Sequence, residues 1–305
     1  MGRIVRIDVG RFDYSLVGEF KFFKAQIRPS ILLRLTDEHG VEGWGQSVPV
    51  ETWTYETVET VETTLRHYIA PAIIDAEPSD LDDVHAQMER VIRPSFSVGP
   101  PLCKAAVDLA CYDLWGQQTQ RPVTQLLGGA RQTQVKLSWT IQAPNMAGVE
   151  SQLELGRELG YDSFNIKVDH PQTPGYDIEI VRAVKNFASG GFHWVDANTS
   201  YNLETRMTMA PKFADLGLKA LESPLPPNLI HGYQALKRQG AISILMDVGI
   251  VSPDEVAEFI APEMFDGIAM KVARCRGLWN TSRIVTQLRE KNLLLFGSGP
   301  TDPDL

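Results

Sequence analysis

The chain has 305 residues, 43 % of them apolar, with 29 basic and 38 acidic side chains and a net charge of −9. It is long enough to bury a large core and to hold two domains, and an acidic balance without a basic stripe argues against a nucleic-acid partner. No run of 18 apolar residues and no basic-then-apolar leader pattern is present, and Cys103, Cys111 and Cys275 lack both disulfide and metal-binding spacing, so a cytoplasmic protein without a membrane partner is expected.

In chain order, residues 3–9 and 31–46 alternate with a period of two, and Asp37-Glu38-His39-Gly40 supplies a turn between Ile31–Leu35 and Val41–Gly45. An antiparallel meander is expected there. Thr57–Ile69, Leu81–Val91 and Leu102–Gln117 then carry apolar residues at three- and four-residue steps, and Pro122 with Gly128-Gly129 closes the segment. The pattern predicts an α+β domain over residues 1–130, packed tightly on the remainder of the chain.

Residues 131–305 change character, with short apolar or β-branched runs alternating with helical periods. Strands are expected at Lys136–Thr140, Phe164–Lys167, Phe192–Asp196, Leu218–Glu222, Ile242–Asp247, Gly267–Lys271 and Leu293–Phe296. Helices are expected at Gln152–Leu159, Tyr176–Phe187, Glu204–Leu216, Ile230–Arg238, Pro253–Ile260 and Leu278–Glu290. Every strand but the last is followed by a helix, which is the order of an α/β barrel of the TIM type. Five strands close on a charge, Lys167, Asp196, Glu222, Asp247 and Lys271, at intervals of 29, 26, 25 and 24 residues. In such a barrel all strands end at one rim, so two amines and three carboxylates would face one pocket.

These charges stand in recognisable motifs. Val41-Glu42-Gly43-Trp44-Gly45, the helix from Lys104-Ala105-Ala106-Val107-Asp108 through Trp115, Leu126-Leu127-Gly128-Gly129, Val195-Asp196-Ala197-Asn198, Glu222-Ser223-Pro224-Leu225, Met246-Asp247 and Asp266-Gly267-Ile268-Ala269-Met270-Lys271 follow one another at fixed spacing. With them the chain resembles the enolase superfamily, and within it the muconate lactonizing enzyme-like subgroup of the mandelate racemase proteins, over nearly its whole length. The resemblance implies a modified (β/α)7β barrel behind an α+β capping domain whose two mobile loops cover the mouth and choose the substrate. It also implies Mg2+, and a reaction that removes the proton alpha to a substrate carboxylate. Epimerisation, dehydration or cycloisomerisation would follow.

The residue chemistry agrees. Asp196, Glu222 and Asp247 offer hard oxygen ligands, and magnesium beside a substrate carboxylate would make a metal-stabilised enediolate accessible at neutral pH. Lys167 and Lys271, four strands apart, would approach the substrate from opposite faces. Burial and a nearby cation both disfavour a charged lysine, which suits it to act as a base. Lysine bases beside magnesium are a trait of that superfamily, so the acid and base roles of Lys167 and Lys271 are what the resemblance implies.

Secondary contacts are expected from several positions. Asn198 either caps the next helix or tunes the metal from behind Asp196. Trp139, Thr140 and Ser298 line the pocket, although the tryptophan suits barrel packing equally well. The cover loops hold Glu19, Phe22 and Phe23 in one and Glu51, Trp53 and Tyr55 in the other, and their aromatics suggest a partly apolar small-molecule carboxylate. A homo-oligomer is expected.

Departures from the pattern matter too. Asn165-Ile166-Lys167 replaces Lys-x-Lys, leaving the base less activated, and Asp247-Val248 replaces Asp-Glu without loss of the ligand. Arg276-Gly277 replaces Gly-Gly, which places a guanidinium near the rim and favours an additional anionic group. No histidine lies near the seventh strand, against a Lys/His pair and for the Lys/Lys type. Only nine residues follow Phe296, so the C-terminal end of the barrel is expected to be missing. Asn165 and that short end motivate the alternative of a catalytically impaired relative that keeps metal and carboxylate binding.

Overall fold

The computed structural model describes residues 1–15, 27–94, 97–169 and 173–299. The first sheet is an antiparallel meander of β1 (Ile4–Ser15), β2 (Ile27–Asp37) and β3 (Glu42–Ser47), in the order β1-β2-β3. Its turn is tied by Asp37, whose Oδ1 accepts from the backbone N–H groups of His39 and Val41, each at 2.8 Å. Five helical segments follow, α1 (Val58–Thr64), α2 (Ala70–Ile73), α3 (Leu81–Val91), α4 (Pro101–Thr119) and α5 (Val123–Leu126), with α1 running into α2 through a π-helical turn at Leu65–Ile69. Thr57 and Thr60 cap α1 reciprocally, as a capping box does.

The inner face of the meander rests on α4, and its glycines show why the Gly43-Trp44-Gly45 motif exists. A Cβ on Gly43 would lie 2.4 Å from the Leu114 nitrogen, and one on Gly45 would lie 2.0 Å from the Ala106 carbonyl oxygen. Strand and helix therefore meet backbone to backbone, a distance only glycine permits. Ile31, Leu33, Leu35, Val61, Leu65, Ala106 and Ala110 are among the buried residues of the core between them.

The second sheet is parallel and seven-stranded, in the order β10-β9-β8-β7-β6-β5-β4, curled as a half-barrel. Its strands are β4 (Trp139–Ile141), β5 (Phe164–Lys167), β6 (His193–Asp196), β7 (Ala220–Glu222), β8 (Ser243–Met246), β9 (Gly267–Lys271) and β10 (Leu294–Ser298). Alternating with them are α6 (Met146–Glu158), α7 (Pro174–Phe187), α8 (Leu203–Asp215), α9 (Ile230–Gln239), α10 (Pro253–Ile260) and α11 (Leu278–Glu290). Several strand ends differ from the expected spans, with Phe192, Leu218, Ile242 and Asp247 lying just outside the observed strands. The strand expected from Lys136 begins at Trp139, and Lys136 lies in solvent, paired with Asp162 at 2.8 Å. The last strand runs on to Ser298, which pairs with Lys271.

Two-residue alternation sorts the side chains into two layers. Phe164, Ile166, Val195, Leu221, Ile244, Met246 and Ile268 face outward into the core shared with the helices. Trp194, Ala220 and Leu245 face inward with Phe192 and Phe296, and the charged residues lie one or more pleats above them. No helix among the described residues is long and apolar enough to cross a membrane.

Cap and barrel are joined at the N-terminus of α11. Asp108, buried on α4, accepts from the backbone N–H of Leu278 at 2.5 Å and of Trp279 at 3.3 Å, and lies 2.9 Å from His85 Nε2. Gly277 passes so close, at φ 101°, that a Cβ there would sit 2.1 Å from Asp108 Oδ1. A carboxylate at a helix N-terminus satisfies amides that the helix itself leaves free. Arg276, expected to present its guanidinium near the rim, instead reaches away to Glu89 on α3 at 2.5 Å. That half-buried ion pair turns the guanidinium to the cap, so the additional-anion expectation at Arg276 is corrected.

Candidate active site

Strand register decides how the five charges meet. Lys167 pairs with Asp196, Asp196 with Glu222, Glu222 with Leu245, and Leu245 with Gly267. Lys167, Asp196 and Glu222 thus share one level, Asp247 stands one pleat higher and Lys271 two pleats higher. A climbing register is what strand tilt produces in a barrel wall, and it carries all five to the same rim.

Their contacts are ion pairs. Lys167 Nζ donates to Asp196 Oδ2 at 2.5 Å, and Lys271 Nζ donates to Asp247 Oδ1 at 2.5 Å. Arg274, three residues past Lys271, also donates to Asp247 Oδ1. Between these pairs Glu222 accepts from Trp194 Nε1 at 2.7 Å and from Asn165 Nδ2 at 3.4 Å. Asn198 donates through its backbone and its carboxamide to the two oxygens of Asp196, at 2.9 and 2.8 Å. Helix α8 is capped by Asn202, which accepts from Thr205 N. The capping alternative for Asn198 is thereby excluded, and its contact is with the carboxylate.

The electrostatics follow from burial and stagger. Burial, the nearby Asp196 and the more distant Asp247 push the Glu222 carboxyl up to about 8. Burial acts against charge on Lys167 as well, yet Asp196 and Glu222 outweigh it and raise that lysine above its ordinary value. Lys271 moves the other way, lowered by burial and by the Arg274 guanidinium. At Asp247 burial is overcome by Arg274 and Lys271, which hold its carboxyl low.

Other expected contacts separate into two groups. Trp53 lies over the Lys271 ammonium at 4.8 Å and the Arg274 guanidinium at 5.1 Å, so it reaches the rim from the cap side. Ser298 and Thr140 sit beside Lys271 and Asn165 in the sheet register. Trp139 turns outward, packing at a tilt on Tyr161 with ring centroids 5.2 Å apart and closing on Gly156, so its pocket-lining reading gives way to barrel packing. Glu51 is exposed and borders a hollow lined, among the described residues, only by cap residues such as Arg11 and Phe12. Phe22, with Glu19 and Phe23, lies outside the described residues. Beside the rim, Trp53 and Arg274 join Leu102, Ile230, Val248 and Phe259 around a largely apolar cavity of about 500 Å3.

Two residues with direct contacts to the acids escaped the sequence reading. Trp194 is two residues before Asp196, and strand parity alone would have found it. Arg274 lies in the loop past β9, where no periodicity applies.

Among the described residues no three acidic, imidazole or thiol groups stand together in metal-ligating reach, because the acids are turned to amines, amides and an indole. Their chemistry nonetheless fits a hard divalent cation. Three carboxylates end consecutive strands, all buried, and mutual repulsion is part of what raises Glu222. A cation would relieve that repulsion, and the buried Oδ1 atoms of Asn165 and Asn198, without hydrogen-bond partners among the described residues, are further oxygen acceptors one pleat below and one pleat above that row.

Known proteins share this architecture. A family signature described as mandelate racemase / muconate lactonizing enzyme, N-terminal domain, matches residues 22–128, and one described as enolase C-terminal domain-like matches residues 149–300. Chloromuconate cycloisomerase of Pseudomonas sp. (strain P51) is 25 % identical over 262 residues, covering 85 % of this chain and 69 % of that protein. N-succinyl-L-Arg/Lys racemase of Bacillus cereus is 25 % identical over 261 residues, with the same coverage. In the crystal structure of N-succinyl Arg/Lys racemase from Bacillus cereus ATCC 14579 the same fold recurs, with a TM-score of 0.91 at 23 % identity, over 98 % of this chain and 80 % of that one. The chain belongs to the mandelate racemase / muconate lactonizing enzyme family of the enolase superfamily. It is an enzyme of that family, whose members include a cycloisomerase and a racemase.

Proposed function

We propose that this enzyme removes the proton alpha to the carboxylate of a small-molecule substrate, with Lys167 and Lys271 as the acid–base pair. What carries the reading is the pairing of two amines with the outer members of a row of three buried carboxylates, Lys167 on Asp196 and Lys271 on Asp247. Asp196, Glu222 and Asp247 are the residues that would hold Mg2+. When bound, that ion supplies positive charge against which a substrate carboxylate can take up electron density.

The rest falls to the chain's own groups. Burial and Arg274 favour the neutral amine at Lys271, whereas Asp196 and Glu222 favour the ammonium at Lys167, and which of the two takes the proton follows from the configuration of the substrate. Trp53 closes over Lys271 and keeps water from the ammonium. Asn198 fixes the orientation of Asp196, and Trp194 with Asn165 fixes that of Glu222. With lysines on two faces, a proton removed on one side is replaced on the other, or the intermediate expels or adds a group at the beta carbon. Epimerisation, dehydration and cycloisomerisation share the first half of this chemistry. A homo-oligomeric cytoplasmic enzyme acting on a free acid, rather than on nucleic acid or a membrane, belongs to the same proposal.

Exchange of the alpha proton in deuterium oxide, followed by NMR with Mg2+ present, tests it across N-acylamino acids, dipeptides and hydroxy acids. Exchange that disappears in Lys167→Ala and Lys271→Ala is expected. Silence across the panel, or exchange that survives both substitutions, overturns the proposal in favour of a relative that only binds metal and carboxylate.

A further inference from the structure

A buried arginine ties together the loops that follow three of the charged strands. Arg206, on α8, is 0 % exposed. Its Nη2 donates to Asp169 Oδ2 at 2.6 Å and its Nε donates to the Pro224 carbonyl at 2.8 Å. Its guanidinium carbon lies 4.2 Å from the ring of Tyr201. The Tyr201 hydroxyl donates to Asp177 Oδ2 at 2.7 Å, and the Asp177 carboxylate accepts from the Asp169 backbone N–H at 3.1 Å through each oxygen. Asp169 is two residues past Lys167, Tyr201 five past Asp196, and Pro224 two past Glu222.

The cluster is expensive as a stabilising device. Burial disfavours the Arg206 charge enough to lower its pKa to about 10, and its Nη1 is buried without a hydrogen-bond partner among the described residues. Asp169 is held at φ 82° and Ser223 at φ 44°, the left-handed region that strains a non-glycine residue. Replacing a buried ion pair by apolar side chains is often neutral or stabilising, so gain in stability does not explain this arrangement. What the pair does achieve is geometric. It pins the backbone immediately beyond Lys167 to the backbone immediately beyond Glu222, across the strand that carries Asp196. None of these hydrogen bonds reaches the loops after β8 or β9, which carry Asp247 and Lys271.

We propose that Arg206 is a positioning residue that acts through Asp169 and Pro224 to hold Lys167 and Glu222 in place, leaving Lys271 outside its control. The functional weight of this assignment rests on the acid–base reading of the two lysines, while the positional claim can be measured without turnover. Trace acetylation by acetic anhydride in the presence of Mg2+, read by peptide mass spectrometry, reports the reactivity of each lysine separately. In Arg206→Met, Lys167 reactivity is expected to change by roughly tenfold or more, the scale of releasing one charge-assisted hydrogen bond, while Lys271 changes by less than about twofold. Arg206→Lys restores part of the difference. Asp169→Gly, which accepts the positive φ without strain and removes the carboxylate, gives the same asymmetry even where Arg206→Met fails to fold.

Unchanged reactivity at both lysines, or parallel change at both as in general loosening, overturns the proposal. With an acid that exchanges in the wild type, Arg206→Met is further expected to slow proton transfer at the Lys167 face more than at the Lys271 face. A wild-type enzyme that exchanges nothing while the labelling asymmetry holds would remove the acid–base reading and leave the positional role of Arg206 standing.

Discussion

Glu56 offers a pH-dependent test of how the cap is assembled. Its carboxylate is buried, and it accepts from the backbone N–H of Leu102 at 2.8 Å and of Cys103 at 2.9 Å, in the first turn of α4. Helix α4 has no side-chain cap of its own, so Glu56 serves as a remote one. Burial nevertheless outweighs those two bonds and the nearby Lys104, and raises the carboxyl from 4.5 to about 7. The folded state therefore holds the Glu56 proton more tightly than the unfolded chain does. Stability from this group is fully present below pH 4.5, is lost as pH rises toward 7, and changes no further above that. The interval between 4.5 and about 7, at about 1.36 kcal/mol per pH unit, amounts to about 3 kcal/mol. Glu56→Gln mimics the protonated acid and cannot ionise. Urea unfolding of both proteins, followed by tryptophan fluorescence from pH 4.5 to 7.5, should show the wild type losing about 3 kcal/mol relative to the variant, with equal m values. A difference that stays flat across that range would refute the reasoning, because it would mean that the carboxylate keeps its solvation in the folded state.

Three further outcomes are expected. Gly45→Ala forces a Cβ to 2.0 Å from the Ala106 carbonyl on a helix backbone that cannot step aside, and should cost about 3 kcal/mol or more, measured by thermal and urea unfolding. Trp194→Phe keeps the inward-facing aromatic but removes the 2.7 Å bond to Glu222; proton exchange should slow about tenfold with little change in Tm. Chelation with EDTA should abolish exchange and added Mg2+ restore it, whereas exchange indifferent to both would contradict the assignment of Asp196, Glu222 and Asp247 as ligands.

Much of the barrel was legible because its rules are local. Pro253–Ile260 and Leu278–Glu290 match the expected helices residue for residue, and in the structure the first is capped by Ser252 with Pro253 just inside. The charges at the strand ends were legible because parity fixes which side chains face inward once a strand is placed. Where spacing ceased to constrain direction, the reading weakened. Trp139 begins a three-residue strand, and its parity places it against α6 rather than in the mouth. Arg276 and Arg274 are two residues apart in a loop, and nothing in their spacing tells that the first meets Glu89 while the second meets Asp247. The Arg206 cluster draws partners from four stretches of chain between Asp169 and Pro224. Each is an ordinary polar residue until the strands are folded side by side.

The joint between Asp108 and the start of α11 bears on how members of such a family can be recombined. Its two halves are 170 residues apart in the chain, yet the carboxylate fits only where the opposing backbone lacks a side chain. A chimera that grafted a foreign cap onto this barrel would have to bring an acid to position 108, and a foreign barrel would have to bring a glycine to position 277. Inheritance of either alone leaves amides stranded or atoms overlapping, so the two positions behave as one heritable unit, and shuffled libraries that preserve the pair should yield more soluble protein than those that split it.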